Sequence, residues 1–83
     1  THEELRARWG ERLRAARRAK GVSLRAITDA TGLHKSHYCR VEAGDASASD
    51  TSRMRIAAAL GVRVEDIWAT QRRRLTGQGD DGP

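Results

Sequence analysis

From His2 to Lys20 the apolar side chains Leu5, Trp9, Leu13 and Ala16 recur at intervals of four, four and three, which places them on one face of an α-helix. Arg6, Arg8, Arg12, Arg14, Arg17 and Arg18 fill the other faces with Glu3, Glu4 and Glu11. Gly10 costs such a helix ~1 kcal/mol relative to Ala, and is expected to mark where a frayed first segment meets a packed one. Gly21 ends the pattern as a C-terminal stop, preceded by Lys20, whose charge suits the negative end of the helix dipole.

Ser23 reads as the N-cap of a second, short helix to Thr31, with Leu24, Ile27 and Ala30 as its buried stripe and Gly32 as its stop. A third helix follows from about His34 to Val41 or Glu42 and closes at Gly44. Two short helices joined by a glycine-containing turn are the helix-turn-helix arrangement. The segment DASASD (45–50) is a small polar loop, with Ser49 or Asp50 as cap of a fourth helix carrying Met54, Ile56, Ala57 and Leu60. Val64, Ile67 and Trp68 support a fifth helix from about Val64 to Arg72. The pattern therefore predicts an all-α domain over residues 1–74. The last residues, 75–83, hold three Gly, two Asp and the only Pro, and are expected to be disordered.

Composition adds a constraint on the core and a hint about partners. The 83 residues suit one domain. With no Phe and one Tyr, the aliphatic residues, Met54 and the two Trp must build the core. Sixteen Lys and Arg against eleven acids give a net charge of +5, and fourteen of the sixteen bases are Arg. Arg suits planar, bidentate recognition of phosphate and guanine, although an Arg- and Ala-rich chain without Asn also fits a G+C-rich genome. Cys39 is alone, so neither an intrachain disulfide nor a cysteine cluster for zinc can form, in keeping with a reducing cytoplasm. No apolar run approaches the ~18 residues of a membrane span, and no signal-peptide pattern is evident.

The stretch GVSLRAITDATGLHKSHYCRVEAG, followed by RIAAALGVRVEDIW, resembles the Cro/cI-type (XRE-like, lambda-repressor-like) helix-turn-helix family. The resemblance runs from about Leu13 to Trp68 and rests on Gly21, Gly32, the Val41-Glu42-x-Gly44 ending and the run Ala59-Leu60-Gly61-Val62. It implies a compact lambda-repressor-like bundle of five helices, in which Ser23 to Thr31 positions and His34 to Glu42 reads DNA. It also implies an ion pair between Arg17 and Glu42 that joins the first helix to the end of the third. Two departures stand out. Leu24 occupies a position where the family often has a phosphate-binding Gln, and the loop after Gly44 carries two acids and no base.

Periodicity sorts the third helix independently. At ~100° per residue, Tyr38 and Val41 define the buried side, while Lys35, Ser36, Cys39 and Arg40 fall on the opposite arc and His37 at its edge. The arc residues are the candidate base contacts, since Lys or Arg can bond guanine O6 and N7 and Ser several bases. Candidate phosphate contacts are Ser23, His34, His37, Ser47, Ser49 and Arg53. A metal site is not expected, because the pair His34 and His37 lacks further ligands at the needed spacing, and no cofactor is implied.

The expected function is a sequence-specific, double-stranded-DNA-binding regulator of transcription, acting in the cytoplasm at the nucleoid. The resemblance implies a repressor that binds a palindromic operator as a homodimer, with Val64, Ile67 and Trp68 as the candidate dimer contact. Ordinary core packing is the alternative role for Trp68. A reading of a different class is a protein-interaction module, such as an antitoxin that neutralises a protein partner through a surface around Leu5 and Trp9 or through the tail. An enzyme is not indicated, because no nucleophile–base constellation, buried acid pair or phosphate-cradling glycine loop appears.

Overall fold

The computed structural model describes residues 1–69, folded as α1 (His2–Ala19), α2 (Leu24–Thr31), α3 (Lys35–Ala43), α4 (Asp50–Leu60) and α5 (Val64–Trp68). The expected limit at residue 74, the extension of α5 to Arg72 and the tail from Leu75 lie outside the described residues. Within them α5 stops at Trp68, because Ala69 turns to extended backbone (φ −67°, ψ 143°), and its carbonyl accepts a hydrogen bond from Trp9 Nε1 at 3.0 Å.

Local signals place the helix starts. Thr1 and Glu4 form a reciprocal capping box on α1, Ser23 accepts from the Ala26 amide at the start of α2, and Ser49 accepts from the Ser52 amide at the start of α4. The connection between α2 and α3 is Gly32-Leu33-His34. Gly32 adopts φ +78°, a left-handed conformation that disfavours any residue with a Cβ, so the glycine is what makes so short a turn possible.

α1 lies across the bundle and packs on α3 and α5, while α2 packs on α3 and α4, and α4 on α5. Leu13, Ile27, Tyr38, Val41, Ala48, Ile56, Leu60, Ile67 and Trp68 form one buried cluster. Each large member stabilises the fold by about 1.5–3 kcal/mol through apolar burial. The loop expected to be merely polar contributes to this core, since Ala48 is buried and Ala46 half-buried.

Five expectations are corrected by the packing. Met54 is 64% exposed; it lies about 160° around α4 from Ile56, so it faces away from the core that Ile56, Ala57 and Leu60 enter. In α2 it is Thr31, not Ala30, that completes the buried stripe, its hydroxyl satisfied by the Ile27 carbonyl at 2.7 Å. Ile67 and Trp68 are 1% and 7% exposed inside the protomer, which leaves Val64 as the half-buried member of the expected dimer contact. Trp9 also faces inward, against the core and Ala69, so the partner surface expected around Leu5 and Trp9 loses its largest residue.

The fifth correction concerns Gly10, which is buried where α1 crosses the end of α3. A β-carbon at position 10 would lie 2.8 Å from the Glu42 carbonyl carbon and 2.9 Å from the Val41 carbonyl oxygen. No fraying is involved; the missing side chain is what lets the two backbones meet. The Gly10→Ala variant should therefore lose about 1–3 kcal/mol to overpacking, despite the ~1 kcal/mol that Ala adds in helix propensity. Urea unfolding checks the sign, and a stabilised variant would show that the crossing opens freely.

Candidate nucleic-acid interface

α3 is divided along its axis into an anchored face and an open one. Tyr38, Val41 and Glu42 are buried, whereas Lys35, Ser36, Arg40 and Ala43 are exposed and His37 and Cys39 half-buried. Lys35, Ser36, Cys39 and Arg40 thus share one outward arc. Ala43 belongs to it as well and was missed in the sequence reading, although the same 100° spacing places it beside Ser36. Among the described residues the ion pairs engage Arg14, Arg17, Arg63 and the N-terminal amine, which leaves Lys35 and Arg40 unpaired on the open arc.

The anchored face is held by charge as well as by packing. Arg17 Nε donates to Glu42 Oε2 at 2.6 Å and Nη2 to Oε1 at 3.3 Å, while Nη1 donates to the Val22 carbonyl at 3.0 Å. Arg14 lies 3.6 Å from the same carboxylate. Arg17 therefore fastens α1 to the lead-in of α2 and to the end of α3 at once. Burial alone would raise the pKa of Glu42, but the bonds from Arg17 outweigh it and hold the carboxyl below its ordinary value. The Tyr38 hydroxyl is buried beside this pair without an aligned hydrogen bond. Its own burial, followed by the adjacent Glu42 carboxylate, drives its pKa far above the usual value, so the phenol stays neutral.

The flanks of α3 are electrostatically open in one direction and occupied in another. Neither α2 nor α3 has an acid in its first turn, whereas α1, α4 and α5 each do. His34 caps α3 without a side-chain bond to the first amides, which leaves these free for an anion. Ser23 before α2 and Ser49 before α4 are exposed but engaged in capping, and Ser47 is exposed in the loop between α3 and α4. Arg25, exposed in the first turn of α2, is a base that the sequence reading passed over; its place directly after Leu24 was the available signal.

Arg53 is differently placed from the phosphate contact expected of it. Its guanidinium carbon sits 5.0 Å from the centre of the Trp9 ring and 5.6 Å from that of Trp68, and Nε donates to the Ala48 carbonyl at 3.0 Å. Two such cation–π contacts contribute about 0.5–2 kcal/mol each. Arg53 is accordingly a strut joining α1, α4 and α5. Among the described residues no group of three or more His, Cys, Asp or Glu is placed to hold a metal ion, and no helix is long and apolar enough to cross a membrane.

A helix-turn-helix domain family model matches residues 8–67. The crystal structure of the restriction-modification controller protein C.AhdI from Aeromonas hydrophila superposes with a TM-score of 0.72 at 31% sequence identity, covering 77% of this chain and 96% of that one. Among curated proteins no sequence relative matches the chain.

The Glu42 geometry has a measurable consequence. A carboxyl whose pKa is lowered on folding adds stability that is complete above its unfolded value of about 4.5, and is lost as pH falls through the lower folded value. Thermal unfolding followed by circular dichroism should show the melting temperature of the parent falling below about pH 4.5. Glu42→Gln, which leaves Arg17 with a weakened partner, should be about 3 kcal/mol less stable at pH 7 and flatter through the acid range. Parallel acid slopes for parent and variant would assign the sensitivity to other carboxylates.

Proposed function

The chain belongs to the helix-turn-helix domain family, which makes it a DNA-binding regulator of transcription, and from that premise we propose that it is a sequence-specific repressor acting as a homodimer on a palindromic operator. One observation carries the reading: an exposed arc of unpaired donors on α3, the second helix of the motif, backed by a rigidly anchored opposite face. Such a helix fits the major groove, where its first residues meet base edges. Lys35, Ser36, Cys39 and Arg40 are the base-contacting residues in this proposal. Ser23, His34, His37, Ser47 and Ser49 flank them as phosphate contacts, with Arg25 added.

Dimerisation must draw on surface that the protomer leaves free. Because Ile67 and Trp68 are buried, the candidates proposed from the described residues are the half-buried Val64 and the exposed Met54. The likeness to C.AhdI favours one setting in particular, the control of a restriction-modification system.

The full chain should enrich a two-fold symmetric consensus from random duplex DNA, with half-sites about one helical turn apart. It should also lower the output of a reporter promoter that overlaps the consensus. A single asymmetric half-site would overturn the dimer, and raised output would make the protein an activator. Arg40→Ala should cost about 1–3 kcal/mol and relax one position of the site; unchanged affinity and specificity would show that the reading face is wrongly placed. In sedimentation, Met54→Glu should convert a dimer into monomers with the helical signal intact, and a persistent dimer would move the contact elsewhere.

A further inference from the structure

A helix that reads bases is limited to the chemistry of its exposed side chains, and here that inventory is narrow. Residues 1–69 contain neither Asn nor Gln, so no described side chain can make the paired contact to N6 and N7 that identifies adenine. The one acid on α3, Glu42, is buried against Arg17 and Arg14 and is withheld from the cytosine amino group it could otherwise accept from. What remains are two unpaired cations, Lys35 and Arg40, the hydroxyl of Ser36, the half-buried imidazole of His37 at the edge of the arc, the half-buried thiol of Cys39 and the methyl of Ala43. Lys and Arg donors match the O6 and N7 acceptors of guanine, whereas Ser serves several bases.

Spacing then turns the inventory into a pattern. Five positions separate Lys35 from Arg40, about 7.5 Å along the helix axis, which corresponds to about two base-pair steps of 3.4 Å. The two residues also stand about 140° apart around the axis, on opposite flanks of the open arc, so the bases they meet need not share a strand. Resting on the proposed seating of α3 in the major groove, we infer that each half-site is marked by two guanines about two base pairs apart, one bonded by Lys35 and the other by Arg40. No adenine is specified by a paired contact to N6 and N7 from α3.

The test uses the full chain and duplexes selected from a random pool. Enriched sites should carry G·C pairs at two positions with this spacing in each half-site. Replacing either guanine by an analogue with carbon at N7 should weaken binding roughly 5- to 150-fold. Inosine keeps O6 and N7 and lacks only the minor-groove amino group, so it should bind like the parent. In Lys35→Ala the penalty at one guanine should vanish while the other persists, and Arg40→Ala should show the reverse; both positions are exposed, and circular dichroism verifies the fold. Enriched sites with A·T at these positions, or analogue duplexes bound as tightly as the parent, would overturn the guanine assignment and leave sequence-specific binding standing. A pool without any enriched sequence would remove both.

Discussion

The geometry of the molecule depends on the ion pair between Arg17 and Glu42. Both partners are largely desolvated, so the net gain over an apolar pair of the same shape is small, whereas loss of either leaves a buried charge without compensation. Its effect is therefore to specify geometry. Arg17 also bonds the Val22 carbonyl, which ties three points together: the last turn of α1, the entry to α2 and the end of α3. These are the points that fix how the second helix of the motif stands relative to the first. Tyr38 and Val41 add apolar burial on the same side of α3, so the helix has one orientation and not a range of them.

A steric constraint accompanies the electrostatic one. Gly10 meets the backbone of Glu42, and Gly44, at φ +83°, stands so close to Ala7 that a β-carbon there would come within 2.8 Å of its Cα. Arg6 Nε reaches the Gly44 carbonyl at 3.4 Å. All these contacts fall at the carboxyl end of α3. The helix is clamped at that end and open at the other, where Lys35 and Ser36 project. A reading helix needs this asymmetry, since a clamp at its first turn would cover the groups that meet the bases.

How much of this the sequence disclosed depended on the kind of signal. Caps and glycine stops are local, and they located the starts of α2, α3 and α4 to within a residue, while apolar spacing located those of α1 and α5. The 3.6-residue period separated Tyr38 and Val41 from Lys35, Ser36 and Arg40 because α3 is short and strictly two-sided. Met54 was misplaced because hydrophobicity alone assigned it to the core, although the same period, through its angle from Ile56, puts it on the far side of α4. Gly10 and Arg53 were illegible for another reason. A close backbone crossing and a cation held by two indole rings are tertiary facts, and a glycine or an arginine in a helix looks the same with or without them. Trp68 was ambiguous from sequence because a buried aromatic and an interface aromatic share one pattern.

The distribution of charge bears on how such a domain could bind at all. A net charge of +5 suggests a strong electrostatic grip, but several bases are already occupied. Arg14 and Arg17 answer Glu42, Arg63 pairs with Asp66, and Arg53 lies against Trp9 and Trp68. The loop between α3 and α4 adds Asp45 and no base. Each phosphate neutralised contributes to both affinity and its dependence on salt, so a protein with few free bases around its reading helix draws a smaller share of its affinity from that source. Discrimination must then come from the few side chains that touch bases, held in one orientation. The rigidity of the Arg17–Glu42 clamp and the narrow donor set of α3 are in this sense one device: a sparse set of contacts can be selective only if the helix presenting them does not move.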